Sequence, residues 1–197
     1  ISERYKLNAP SLKTTRILTN KDKQRNLFSR NNILQPYFKI FDDKEKLINF
    51  LKKNNDSLIV KPIDSSGSRG VFKYYKNIKN LKQHINNSFY WSKLKKVIIE
   101  KYIYGIELTV ETFFQNGKMN ITAITSKKKI KKTNGTVAYE LSTYKLSNYN
   151  YLKLKSIIYT SYKCSGFRNG VGHAEIIKSD NSFYIIEIAG RGPGFDV

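Results

Sequence analysis

Leu58-Ile59-Val60-Lys61-Pro62-Ile63-Asp64-Ser65-Ser66-Gly67-Ser68-Arg69-Gly70-Val71 is the stretch whose reading decides the fold. It opens as a short apolar run, which predicts a buried strand. A lysine stands at the strand's end, and the residues after it are nearly all small, polar or glycine. Gly67 and Gly70 permit positive φ, and Ser65, Ser66 and Ser68 add hydroxyl donors to exposed backbone amides. A flexible, donor-rich loop beside a fixed cation suits a polyphosphate. No Gly-Lys-Ser/Thr closes the loop and no long amphipathic helix follows, so it is not a Walker loop. An ordinary strand-to-strand connection has the same composition, and the surrounding chain has to decide between them.

Upstream, residues 1–20 read as polar and irregular, with Pro10 breaking any helix. Asn20 can cap a helix beginning at Lys21. Ile33 to Phe38 leaves it as an extended segment, and Asp42 is the expected cap of a second helix carrying Leu47, Ile48 and Leu51. Downstream, Val71 to Tyr75 is a returning strand, and Ile78, Leu81 and Ile85 mark another amphipathic helix. The second half is mainly strands: Val97 to Glu100, then Glu107, Thr109 and Glu111 alternating with Leu108 and Val110, then Lys118 to Ser126 after an Asn116-Gly117 turn. Residues 127–149 read as a lysine-rich, then aromatic loop, and a helix is expected at about 150–165. Gly170 to Lys178 and Phe183 to Ala189 form a hairpin around Asp180-Asn181-Ser182.

The 197 residues suffice for a real core, with 40% hydrophobic residues and a mean hydropathy of −0.51. No apolar run approaches the ~20 residues of a membrane span, and no signal peptide is evident at Ile1-Ser2-Glu3-Arg4. The missing initial Met and the abrupt Phe195-Asp196-Val197 end suggest a piece of a longer protein. A net charge of +21 invites a nucleic-acid reading. Only seven of the 36 basic residues are Arg, however, and the lysines are spread through an Asn/Lys/Ile-rich chain, which favours compositional bias over a binding stripe. The single cysteine, Cys164, excludes an internal disulfide and predicts a reducing, cytoplasmic setting; it sits in a helical pattern as a small core residue.

Four features in this order resemble the ATP-grasp superfamily, in the flavour of its carbamoyl-phosphate-synthetase-like carboxylate–amine ligases. They are Val60-Lys61-Pro62 with its Ser/Gly loop, Glu100-Lys101-Tyr102-Ile103 with Gly105 and Glu107, His173-Ala174-Glu175, and Glu187-Ile188-Ala189-Gly190-Arg191. The resemblance implies an α+β fold with a small α+β subdomain, a larger antiparallel-sheet subdomain and ATP between them, the family's preceding domain being absent. The expected division is 1–20 as a leading linker, 21–96 as the small subdomain and 97–197 as a truncated C-terminal subdomain.

The resemblance also implies roles. Lys61 and Lys21 would contact phosphates, and Ser65, Ser66, Gly67, Ser68, Arg69 and Gly70 would form the lid over them. Glu100, Lys101, Tyr102 and Ile103 would line the adenine, and Glu107 would take both ribose hydroxyls as an acceptor-only carboxylate. Glu175 and Glu187 would hold Mg²⁺, a hard ion that favours oxygen. Being twelve positions apart, they share a sheet face only if the hairpin loop is odd in length. Arg191 would face the γ-phosphate or acyl-phosphate. One of Lys127, Lys128 and Lys129 would add a further phosphate lysine, Lys128 being the one expected although the sequence does not order the run. His173 is expected to pack beside the site rather than act as a base. Ala189 departs from the family's Glu-x-Asn-x-Arg, which leaves one or two Mg²⁺ open, with Mn²⁺ an alternative. The implied activity is an ATP-dependent ligase for small-molecule carboxylates and amines. A homodimer is left open, and a non-catalytic ATP-binding module or a basic nucleic-acid binder are the alternatives.

Overall fold

A computed structural model describes residues 5, 8–129 and 138–193. The fold is α+β. By contact it separates into two compact units, one of Ile1–Gln35, Tyr104–Lys128 and Glu140–Val197, the other of Pro36–Ile103 with Lys129–Tyr139.

The second unit is a four-stranded antiparallel sheet with two helices. Its strands β1 (Phe38–Phe41), β2 (Leu58–Pro62), β3 (Phe72–Tyr74) and β4 (Val97–Lys101) lie in the order β1-β4-β2-β3. The apolar run at 58–62 is thus a strand with a neighbour on each side, and Val60 is fully buried. Helices α3 (Lys44–Lys52) and α4 (Leu81–Trp91) supply Leu47, Leu51, Ile85 and Phe89 to a core shared with Leu58, Val60, Phe72, Val97 and Ile99. Because β4 pairs with both β1 and β2, a cut at 96/97 would divide this sheet; the chain leaves the unit after Ile103.

The first unit is a five-stranded sheet in the order β7-β6-β5-β8-β9. Its strands are β5 (Ile106–Gln115), β6 (Lys118–Lys129), β7 (Ala138–Thr143), β8 (Gly170–Ser179) and β9 (Ser182–Ala189). Leu108, Val110, Phe114, Ala174, Ile176, Ile185 and Ile188 bury one face against Phe28 of α2 (Lys21–Arg30) and Leu154, Ile158 and Tyr162 of α5 (Asn148–Ser165). The alternation that makes this face apolar sends Glu107, Glu111, His173, Glu175 and Glu187 to the other. Gly105 precedes β5 where any Cβ would meet the Lys178 carbonyl at 2.3 Å, so only glycine lets the chain run this close to β8.

Four expectations change. Residues 12–18 form a helix, α1 (Leu12–Leu18), because Pro10 lies ahead of the cap Ser11, whose Oγ accepts from the Thr14 amide; proline outside the first turn breaks nothing. Asp43, not Asp42, caps α3, accepting from the Lys46 amide at 2.7 Å. Helix α4 starts at Leu81, since Asn77 and Asn80 sit at φ 65° and 57°, outside helical space. The stretch expected as a loop at 127–149 holds the end of β6 and all of β7. Residues 1–4, 6 and 7, the middle of the lysine-rich segment (130–137) and the end from Gly194 lie outside the described residues.

Candidate functional site

In the first unit the acidic row comes from three strands. Thr109 of β5, Glu175 of β8 and Glu187 of β9 are direct cross-strand partners, and the next row is Glu111, His173 and Ala189. Direct partners in an antiparallel pair point to the same face, so Glu175 and Glu187 share one. The device is not the three-residue loop expected from the sequence. The turn is Asp180-Asn181, flanked by the partners Ser179 and Ser182, and the register then shifts by one at Ile186, between the pairs Ile176–Ile185 and Glu175–Glu187. This β-bulge supplies the odd residue.

Two helix residues that the sequence reading passed over hold the bulged strand. Arg25, buried, donates to the Ile185 carbonyl at 2.8 Å and the Ile186 carbonyl at 2.7 Å. Gln24, also buried, donates to the Ile188 carbonyl and accepts from its amide. On α2 both look like ordinary polar helix residues, and only the fold makes them clamps.

Each carboxylate on this face has a cationic neighbour. Lys21 Nζ lies 3.3 Å from Glu187, and Lys127 Nζ lies 2.5 Å from Glu175 and 3.5 Å from Glu107. His173 Nδ1 is 2.6 Å from Glu111, and its Nε2 is 3.8 Å from Glu175. Burial opposes charge on Glu175, but His173 and Lys127 outweigh it and hold its carboxyl well below the usual carboxylate range. Burial likewise opposes charge on Lys127 and His173, but Glu175 and Glu107 raise Lys127, and Glu175 and Glu111 raise His173, above their ordinary values. Glu111 was visible in the sequence as the third member of the Glu107-Thr109-Glu111 alternation without being read as part of the site.

The lysine run resolves by alternation. Lys127 falls on the acidic face, whereas Lys128 points away and pairs with Glu140 at 2.8 Å in the open; the Lys129 side chain lies outside the described residues. Arg191, beyond β9, is exposed and donates to the Gly192 carbonyl.

In the second unit, Lys61 and Glu100 form a buried ion pair at 2.8 Å between β2 and β4. The Lys101 amide donates to the Tyr37 carbonyl and the Tyr102 amide to the Ser57 carbonyl, while Ile103 is in the irregular exit from β4. Lys73 Nζ sits over the Tyr102 ring at 3.5 Å from its centroid. The loop 65–70 is a chain of turns with Gly67, Ser68 and Gly70 at φ 64°, 55° and 72°. Arg69 folds back within it, donating to the Ser66 carbonyl and hydroxyl, and lies over Trp91 at 5.0 Å.

Two opposed carboxylates with phosphate oxygens are a donor set of the kind Mg²⁺ uses. Among the described residues, no three His, Cys, Asp or Glu side chains gather as a self-sufficient metal cage, so other ligands would have to complete the shell.

Residues 55–195 match the family model described as an ATP-grasp domain. The chain belongs to the ATP-grasp family. Among curated relatives of this ATP-grasp chain, phosphoribosylamine–glycine ligase of Pyrococcus horikoshii is 30% identical over 117 residues, covering 56% of the chain and 26% of the relative. The fold is that of the L-amino acid ligase from Bacillus licheniformis (TM-score 0.77, 23% identity, covering 98% of the chain and 45% of that protein). It is also that of the biotin carboxylase–β-γ-ATP complex from Campylobacter jejuni (TM-score 0.80, 16% identity, 98% and 45%). The chain therefore spans about a quarter of the length of the first of these relatives and under half of the two solved neighbours. No helix among the described residues is long and apolar enough to cross a membrane.

Proposed function

We propose that the chain is the nucleotide-binding part of an ATP- and Mg²⁺-dependent ligase that joins a small-molecule carboxylate to an amine. The observation that carries this is the pairing of Glu175 with Glu187 on one sheet face, each with a lysine beside it. Family membership supports the nucleotide, and relatives named as glycine and amino acid ligases support an amino acid as the carboxylate.

In this reading Lys21, Lys61 and Lys127 bind phosphates, with Lys127 taking the place expected of Lys128. The loop from Ser65 to Gly70 covers them, its backbone amides aided by positive-φ turns. Glu107 accepts the ribose hydroxyls. The purine contacts fall to the Lys101 and Tyr102 carbonyls and the Ile103 amide, because the Lys101 and Tyr102 amides are already bonded within the sheet. Glu100 fixes Lys61 and accepts from the purine amine. Glu175 and Glu187 would hold Mg²⁺, which supplies charge neutralisation on the phosphates. Arg191, on the continuation of β9, faces the transferring group.

The substrate carboxylate attacks the γ-phosphorus as the bond to the β-phosphate oxygen breaks, giving ADP and an acyl-phosphate. The amine then attacks the acyl carbon, expelling phosphate and losing a proton to give the amide. Phosphoryl transfer of this kind rests on positioning and charge neutralisation, which a site of lysines, an arginine and backbone donors provides without a nucleophile. The test is ADP release from ATP and Mg²⁺ over a panel of amino acids, with nucleotide binding followed by thermal shift. Stabilisation by nucleotide without turnover would favour the second reading, a non-catalytic ATP-binding module, to which the alanine at 189 lends support.

A further inference from the structure

Building on that reading, we propose that Lys127 is a resident cation that occupies the metal's place beside Glu175, so that a divalent ion binds firmly only after a nucleotide's phosphates have drawn the lysine away. Lys127 Nζ bridges two carboxylates with different assigned partners, Glu175 for the metal at 2.5 Å and Glu107 for the ribose at 3.5 Å. A divalent ion approaching Glu175 Oε1 meets that ammonium, because both seek the same oxygen. The Lys127 side chain is 13% exposed and that of Glu175 30%, so the pair is only partly open to the solvent that weakens surface ion pairs.

The charge balance of the face points the same way. Glu107, Glu111, Glu175 and Glu187 are met by Lys21 and Lys127, with the His173 ring beside Glu111 and Glu175, so part of the acidic charge that would draw a free divalent ion is already answered. A triphosphate brings its own negative charge and offers Lys127 a new acceptor. A lysine can make this exchange: its ammonium is a point charge on a flexible four-carbon stem and binds phosphate without a fixed fork. Lys127 thereby couples two ligands that touch different carboxylates, and metal enters with or after nucleotide.

The measurement is Mn²⁺ binding to the nucleotide-free protein, read from loss of the free-ion electron paramagnetic resonance signal. Lys127→Met and Lys127→Gln are compared with wild type, so that misfolding of one substitution, checked by circular dichroism, leaves the other. Lys127→Arg keeps the charge, and Lys163→Met removes a charge from exposed helix surface elsewhere in the same unit. Expected is Mn²⁺ affinity raised at least tenfold in the Met and Gln proteins and unchanged in the Arg and Lys163 proteins. Affinity for a non-hydrolysable ATP analogue should fall at least tenfold in the Met and Gln proteins. Unchanged or weaker Mn²⁺ binding in both neutral variants overturns the inference. If the analogue binds wild type and only the Mn²⁺ effect is missing, the inference alone fails; if it binds none of the proteins, the nucleotide reading fails with it.

Discussion

Glu175 and Glu187 face one another across β8 and β9 because Ile186 is bulged out of the ladder between them and the turn. Had the register of Ser179 and Ser182 continued, Glu175 would stand opposite Ile186, and Glu187 would turn to the apolar face. The acidic pair therefore depends on an irregularity, and Arg25, together with Gln24, grips the strand that carries it.

Replacing Arg25 with Met should be costly for that reason. Two backbone carbonyls, those of Ile185 and Ile186, lose their donor inside the unit, and each unmade buried bond costs on the order of 1–3 kcal/mol. We expect about 3 kcal/mol of lost stability by urea denaturation, and Mn²⁺ binding in the presence of nucleotide weakened beyond what the stability loss explains. A change under about 1 kcal/mol would mean that the bulge holds itself.

The Lys61–Glu100 pair carries a different cost. Both side chains are buried, and removing one partner of such a pair leaves an uncompensated charge worth about 3–5 kcal/mol, whereas replacing both by apolar groups is often neutral. Lys61→Met should destabilise strongly, and Lys61→Met with Glu100→Leu should recover most of the stability. Nucleotide binding, followed by calorimetry, should stay lost in the double substitution. Recovery of both would make the pair purely structural.

Gly70→Ala should stiffen and strain the loop. Gly70 sits at φ 72°, and an added Cβ would lie 3.0 Å from Pro62 and 3.1 Å from Trp91. We expect about 1–2 kcal/mol of destabilisation and weaker nucleotide binding, measured by thermal shift with and without an ATP analogue. An unaffected protein would show that the turn relaxes freely.

Ala189 stands opposite His173, on the face of the two acids and one row beyond them. Ala189→Asn adds an oxygen ligand there, and bound Mn²⁺ per nucleotide complex should rise from about one toward two by resonance titration. Stoichiometry unchanged by the carboxamide would place the second ion, if any, elsewhere.

Much of this was legible in the sequence because period-2 alternation survives without tertiary information: Glu107, Thr109 and Glu111 lie on one side of β5, Leu108 and Val110 on the other. Alternation could also have chosen Lys127 over Lys128, had β6 been extended past Ser126, but a lysine-rich run carries no strand signal of its own. The bulge at Ile186 was legible only as a parity problem between Glu175 and Glu187, because a strand sequence does not mark which residue will be extruded. Gln24 and Arg25 left no trace at all. Their partners lie about 160 residues away on β9, and a buried polar residue on a helix looks the same as an exposed one until the fold closes over it. Helix α1 is hidden in the sequence for a local reason: Pro10 reads as a breaker, yet it lies ahead of Ser11, which already begins the cap.

The most direct test of the account is a crystal of the protein grown with a non-hydrolysable ATP analogue and Mn²⁺, with anomalous data collected at the manganese edge. The account predicts a manganese peak at roughly 2.0–2.3 Å from carboxylate oxygens of both Glu175 and Glu187, with the triphosphate beside it and Lys127 turned from Glu175 to a phosphate. A nucleotide bound away from these two acids, or manganese that touches neither, would contradict it.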